Sequence, residues 1–572
     1  MSLENPVTGE ISTLPKEIAN ILNVYYRDIA QNTNSNLNGK NRSEAKQVWI
    51  NNTIVLFEVT ETDILNASRK LKNKKSSGFD DLYDCVVKGS IPYILKPLSM
   101  LLNESFEKST FPEILKRAKI RPHYKKGEMT VPENYRPVAN ISAFAKLFEL
   151  VITKKIKDFL QKFLVIHKSQ FGYQEKKSTV DALLSLLSKI YDGMLERKFT
   201  KGFCIDLTKA FDLVNHEILF GKLEKYGIRG PVLDWIKSYL KNREQYVEIE
   251  SNKGVKFVST IENINVGVPQ GSIFGPLLFI LYVNDILENI NIGDKVMFVD
   301  DLSILLKCNT EEDLKQEEKV MLFELENWIS NNDLVEQTKK RQELIFRTND
   351  RMYVEKGEEE NNKIIKTVSL LGVNLDQNLK WNQHIGNLEK KLNKALFGIA
   401  RISRICSKET AISAYYALFH SPMSYGIILW GGTSEIKRIL KAQKKAIRYL
   451  CHKTKGASCR DLFKSLKILT APSTYILEVV KKVKQNYSDF QNKSMKHEYF
   501  TRNKNHLMTS QAKLTTSQKG LEFMGPKLYD RLPQRIKDLE YKCFVKQVKL
   551  LLLSKTFYSV QEFLDCDLEH FS

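Results

Sequence analysis

Three aspartates carry the first chemical argument. Asp206 ends the compact apolar run of FTKGFCIDLTKAF (199–211), and Asp300–Asp301 sit between the two apolar runs of KVMFVDDLSILL (295–306). The second pattern reads as two strands joined by a tight acidic turn, which projects both carboxylates from the hairpin tip. An Asp at a strand end and an Asp pair in a turn are each common, since Asp favours turns. Together they predict a three-carboxylate cluster, because buried like charges repel strongly unless a cation compensates them. Two Mg²⁺ ions about 3.5–4 Å apart would satisfy such a cluster and suit in-line displacement at a phosphoryl group, with Mn²⁺ the alternative.

The elements that must hold these groups follow from periodicity. Residues 1–58 read as a polar, Asn-rich extension or linker with a short amphipathic stretch around Ile18–Tyr26, and 59–104 as a helical segment. RAKIRPHYKKGE (117–128) reads as a strand entering a basic turn, and ENYRPVANIS (133–142) as its return. Ala145–Phe163 and Ser178–Lys189 have the spacing of amphipathic helices. GVPQGSIFGPLLFILYVNDI (267–286) is a Gly/Pro loop running into an apolar helix, and beyond Leu375 most patterns are helical. The expected class is α+β, with a sheet in the middle and a helical C-terminal part.

A chain of 572 residues has room for three to five domains at about 100–200 residues each. Lys and Arg number 88 against 67 Asp and Glu, a formal charge of +21. That surplus favours a polyanionic partner, nucleic acid ahead of a membrane surface. The excess is uneven: residues 381–470 hold 17 Lys/Arg and 4 Asp/Glu. Within them, 437–460 intersperses charges with Ile439, Leu440, Ile447, Tyr449 and Leu450, the pattern of a basic amphipathic helix. The eight cysteines are scattered without a CxxC pair, and Cys451, His452 and Cys459 lack a fourth ligand at zinc-site spacing. With no signal-peptide character and no apolar run near ~18–20 residues, a soluble protein of a reducing, intracellular compartment, with no membrane partner, is expected.

FCIDLTKAFDLVNH, GVPQGSIFGPLLFILYVNDI and FVDDLSILL resemble the palm motifs of reverse transcriptases. Their flanks resemble the jockey-like, chicken-repeat-like group of non-LTR retrotransposons. Those flanks run in order from KNKKSSGFDD through YKKGEMTVPENYRPV, SQFGYQEKKSTVDALL and KYGIRGPVLDWIKSYLKNREQYV, then SLLGVNLDQNLKWNQHI and SYGIILWGG, to GPKLYDRLPQRIKD. The resemblance implies a right-hand polymerase, with fingers and palm at 105–375, a helical basic thumb at 376–480 and a helical extension at 481–572. It makes Asp206, Asp300 and Asp301 the metal ligands and Phe211 a steric gate against the 2′-hydroxyl. It assigns Lys125, Lys126 and Arg136 to the incoming triphosphate, and Gln270–Gly271 to the loop supporting the template base. It also implies that Lys340 protonates pyrophosphate and that Leu371, Gly372 and Val373 form the primer grip.

On the basic helix, Lys437, Arg438, Lys441, Lys444, Lys445 and Arg448 are the candidates for gripping the duplex backbone. The implied partners are an RNA template, a DNA primer and dNTPs, in the nucleus for target-primed synthesis or in the cytoplasm. Three positions depart from the family pattern: Gln174 stands in place of Arg, Gln337 in place of Asn and Arg341 in place of Thr. The resemblance begins near residue 60, so the endonuclease found ahead of the polymerase in full-length elements is expected to be supplied elsewhere. The alternative to an active enzyme is a silent relic that retains nucleic-acid binding; a group II intron maturase is disfavoured by the flanks.

Overall fold

The structure, a computed structural model, describes residues 2–34, 49–55, 58–251, 253–347, 367–490, 507–508 and 517–568. Parts of the expected 1–58 and 481–572 segments therefore lie outside the described residues. Contacts gather the chain into two units built from non-contiguous segments. The first holds Met1–Ser178, Ile205–Leu302 and Gln316–Arg341; the second holds Thr179–Cys204, Ser303–Lys315 and Gln342–Ser572.

In the first unit, the expected strand and its return are β1 (Arg117–Tyr124) and β2 (Tyr135–Asn140), antiparallel from Lys119↔Asn140 to Tyr124↔Tyr135. β1 also pairs in parallel with β4 (Arg243–Glu250), which carries β5 (Lys256–Val258) and β6 (Glu262–Ile264). Paired charges line this sheet: Arg117 meets Glu244 at 2.7 Å and Arg121 meets Glu248 at 2.8 Å. In the N-terminal segment, the expected amphipathic stretch lies within a longer helix. Pro15–Asn34 is a 20-residue helix, α1, whose Ile18, Leu22, Tyr26 and Ile29 recur at helical spacing and are buried. Buried Asn23 fixes its position, donating to the Thr260 carbonyl at 2.7 Å and accepting from Gln245 Nε2 at 3.1 Å.

A second sheet has the order β9-β3-β8-β7, with β3 at Phe199–Ile205, β7 at Asp294–Phe298, β8 at Asp301–Cys308 and β9 at Gln342–Phe346. Leu302, Ile304, Leu305 and Leu306 of β8 are all essentially inaccessible, which is why this strand reads as a continuous apolar run. The helix after the Gly/Pro loop, Gly275–Val283, is buried on every side, as its unbroken apolar sequence requires.

In the second unit, β10 (Thr367–Leu370) and β11 (Val373–Asp376) form a hairpin. Helix Asn382–Ile405 buries Ile385, Leu388, Leu392, Leu396 and Ile399, and packs on helix Ile436–Leu450, the expected basic amphipathic helix. Among the described residues, no single helix is long and apolar enough to cross a membrane.

At the C-terminal end of helix Gly275–Val283 lies a buried ion pair. Lys222 Nζ meets Asp285 Oδ1 at 2.7 Å and the Tyr282 carbonyl at 2.6 Å, with both charged side chains 2 % exposed. Removing one partner strands the other charge out of water. Lys222→Met is expected to cost about 3–5 kcal/mol in urea unfolding; a loss below about 1 kcal/mol would show that Asp285 is solvated or neutral.

Candidate active site

Asp206 directly follows β3, and its backbone is stitched to a single returning segment. Its carbonyl accepts from the Gln337 amide at 3.0 Å, and the Thr208 amide donates to the Val335 carbonyl at 2.8 Å. This stitching delivers Lys340, whose Nζ stands 3.2 Å from Asp206 Oδ2 and also donates to Gln337 Oε1. Arg341 is held by both carboxylate oxygens of Glu336, at 2.8 and 2.7 Å. Two of the three departures from the family pattern, Gln337 and Arg341, thus have local partners.

Asp300 and Asp301 occupy the predicted hairpin between β7 and β8, both half-buried. Val299, before them, has a φ of +63°, a left-handed conformation that a β-branched residue strongly resists. Burial, then the Asp300 and Asp206 charges, push the Asp301 carboxyl up to about 6. Burial and Asp206 likewise raise Asp300, while Arg136 and Lys125 pull it down. Lys125 is lowered by burial, then by Arg136 and Lys340, against the pull of Asp206. Asp206, Asp300, Asp301, Lys125, Arg136 and Lys340 therefore share one electrostatic environment. Lys126 follows Lys125 in the same turn and adds to its field.

Three carboxylates, two of them raised in proton affinity by burial and by the Asp206 charge, form a hard oxygen donor set suited to Mg²⁺ or Mn²⁺. Among the described residues, no three His, Cys, Asp or Glu side chains are already gathered into a metal cage. The Asp206 carboxylate is turned onto the Lys340 ammonium instead.

The Gly/Pro loop is fixed from two sides. The Ala139 amide of β2 donates to the Gln270 carbonyl at 2.8 Å. Gly271 has a φ of +128°, and a Cβ there would lie 2.2 Å from the Ala139 carbonyl oxygen, so only glycine fits. Gln270 Nε2 donates to both oxygens of Asp212 at 2.7 Å each. Burial pushes Asp212 up to about 6, tempered by Gln270 and then Lys209. Beyond the loop, buried Glu149 accepts from the Ile273 amide at 2.6 Å, the Phe274 amide at 3.3 Å and the Tyr239 hydroxyl at 2.7 Å. Sequence reasoning assigned no role to Asp212 or Glu149. A Glu on the apolar face of a helix was the available signal for the latter. Phe211 stacks on Phe279 with ring centroids 4.2 Å apart.

Leu371 and Gly372 form the turn between β10 and β11, with φ of +45° and +81°, and Tyr425 Oη donates to the Leu371 carbonyl at 2.5 Å. On the basic helix, Lys437, Lys441 and Lys445 are exposed. Arg438 is engaged by Glu389 at 2.6 Å and Glu435 at 3.2 Å, Arg448 donates to the Ala457 carbonyl at 3.0 Å, and Lys444 lies 3.6 Å from the Tyr558 ring centroid.

Residues 123–375, which contain the whole carboxylate cluster, match the family described as reverse transcriptase (RNA-dependent DNA polymerase). The wider chain is similar to polymerases of non-LTR retrotransposons. One is the probable RNA-directed DNA polymerase from transposon BS of Drosophila melanogaster, 26% identical over 402 residues, covering 68% of this chain and 44% of that protein. Another is the RNA-directed DNA polymerase from mobile element jockey of the same organism, 24% identical over 436 residues, covering 73% and 46%. A shorter match joins 193 residues to the Pol polyprotein from type-1 retrotransposable element R2 of Popillia japonica at 25% identity, covering 32% and 26%. The chain spans less than half the length of the first two.

Because Asp301 is raised from an ordinary value near 4 to about 6, its ionisation costs the metal-free protein stability as pH rises through that range. Asp301→Asn removes this cost. It is expected to raise the melting temperature in EDTA at pH 7.5 by ~1–3 °C, with little change at pH 4. Equal effects at both pH values would show that the Asp301 carboxyl is not raised.

Proposed function

We propose that this chain is an RNA-directed DNA polymerase that extends a DNA 3′-hydroxyl on an RNA template with dNTPs. The observation that carries this reading is the joint placement, inside residues 123–375, of Asp206, the Asp300–Asp301 turn and the cations Lys125, Arg136 and Lys340. In this reading, fingers and palm occupy 105–375, the thumb 376–480 and a helical extension 481–572.

Asp206, Asp300 and Asp301 would hold two Mg²⁺ ions, which supply nucleophile activation and charge neutralisation at the transferred phosphate. Lys125, in the turn just past β1, and Arg136 on β2 would clamp the β- and γ-phosphates, with Lys126 extending that field. Lys340, 3.2 Å from Asp206 Oδ2, would protonate the departing pyrophosphate. Phe211, steadied by Phe279, would crowd a 2′-hydroxyl. Gln270 and Gly271 would support the template base, and the Leu371–Val373 turn the primer end. Exposed Lys437, Lys441 and Lys445 supply the salt-sensitive contact with duplex phosphates, backed by Arg438, Lys444 and Arg448.

Primer extension on poly(rA)/oligo(dT) with Mg²⁺ tests the reading. Wild type incorporates dTTP, and Asp300→Asn loses about a hundred-fold or more; a folded wild type that incorporates nothing overturns it. Phe211→Ala is expected to relax discrimination against ribonucleotides by about ten-fold or more, and unchanged discrimination would leave Phe211 as packing. Lys441→Glu with Lys445→Glu should weaken duplex binding and lower its salt slope by roughly 2. An unchanged slope would place the duplex elsewhere.

A further inference from the structure

The strained turn that carries Asp300 and Asp301 is gripped by one buried side chain outside the metal site. Gln170 is fully inaccessible. Its Oε1 accepts from the Val299 amide at 3.1 Å and from the Gly172 amide at 2.8 Å. Its Nε2 reaches the Val299 carbonyl at 3.5 Å, so one primary amide spans both polar groups of the left-handed residue. The backbone around Gln170 is itself bound to β7: the Met297 amide donates to the Ser169 carbonyl at 2.9 Å and the Phe171 amide to the Met297 carbonyl at 2.8 Å.

Gly172 completes the fit, since a Cβ there would lie 2.5 Å from Val299 Cγ2 and 2.7 Å from its nitrogen. Behind Gln170, its carbonyl accepts from Gln174 Nε2 at 2.6 Å and Lys177 Nζ at 3.0 Å. The third departure from the family pattern, Gln174, thus serves this brace.

We infer that Gln170 is a positioning residue, a neutral clamp that holds Val299 left-handed and so fixes where the Asp300 and Asp301 carboxylates point. A Val in this conformation relaxes toward extended backbone if nothing opposes it. Such relaxation would rotate the next peptide and with it Asp300. A neutral amide suits the task. It satisfies a buried N–H without adding charge beside carboxylates whose affinity for cations must be kept. The inference rests on the proposed two-metal function for its consequence, but its geometry can be tested separately.

The test uses the full chain with Gln170→Met, which keeps the volume and loses the hydrogen bonds, and Gln170→Glu, which keeps the acceptor for the Val299 amide. In amide hydrogen exchange without metal, the Val299 amide should exchange at least about ten-fold faster in the Met variant, with the rest of β8 unchanged, and stay protected in the Glu variant. Equal Val299 protection in wild type and the Met variant would overturn the clamp, as would Val299 exchange in the Glu variant as fast as in the Met variant.

In Mn²⁺ binding followed by electron paramagnetic resonance, and in the Mg²⁺ dependence of primer extension, the Met variant should need about ten-fold more metal. A drop in kcat at an unchanged metal requirement would overturn the positioning role. If the Met variant does not fold, the Glu variant compared with Val299→Gly still decides. Glycine relieves the left-handed strain, so Val299→Gly with Gln170→Glu should show no further loss in metal affinity beyond that of Gln170→Glu alone; a fully additive loss would overturn the inference. Wild type that binds Mn²⁺ and protects Val299 but extends no primer would sink the proposed polymerase while leaving the clamp intact.

Discussion

Mutual repulsion among Asp206, Asp300 and Asp301 is the constraint on which the rest of the structure depends. Two of the three stand at raised proton affinity because burial and their neighbours disfavour the charged form. A fold gains nothing by gathering such groups unless a cation will join them. Every element that brings them together must therefore supply its stability elsewhere. The apolar β8, the fully buried helix Gly275–Val283 and the Lys222–Asp285 pair lie close in sequence to the aspartates and supply it.

Cations around the cluster divide the work by distance. Among the described residues, Lys340 is the cation that touches a carboxylate of the cluster, through Asp206 Oδ2. Lys125 and Arg136 act through the field and repel each other, a cost that makes sense where an anion is to sit between them. The same logic applies on the basic helix. Glu389 and Glu435 compensate Arg438, while Lys437, Lys441 and Lys445 keep their charge in solvent, available to a polyanion.

Much of this was legible in the sequence for a physical reason. A hairpin turn bearing two Asp and a strand ending in a third are local patterns, and local patterns survive in one dimension. β1 with β2, the Gly/Pro loop and the amphipathic helices were legible on the same grounds. The order β9-β3-β8-β7 and the parallel pairing of β1 with β4 depend on contacts distant in sequence and left no periodic trace. α1 shows in the sequence only as a short amphipathic stretch because its ends are polar and Asn-rich. The supports of the site are hidden most completely. Asp212, Glu149 and Gln170 act on groups 58, 124 and 129 residues away, and even the Glu on an apolar helix face does not say which partner it meets.

These supports share a chemical choice that bears on how the site works. Those that hold the backbone of the aspartate cluster are neutral: Gln170 on Val299, and Gln337 on the Asp206 carbonyl through its backbone amide. A lysine or arginine in the place of Gln170 could satisfy no buried amide, and its charge would partly neutralise Asp300 and compete with any cation the pair attracts. A carboxylate there would add a fourth negative charge to a cluster already resisting ionisation. An amide avoids both, at the cost of demanding exact fit, which the clash awaiting any Cβ at Gly172 makes visible. Position is thus imposed by hydrogen bonds and shape, and charge at the aspartates is left free to answer to a cation.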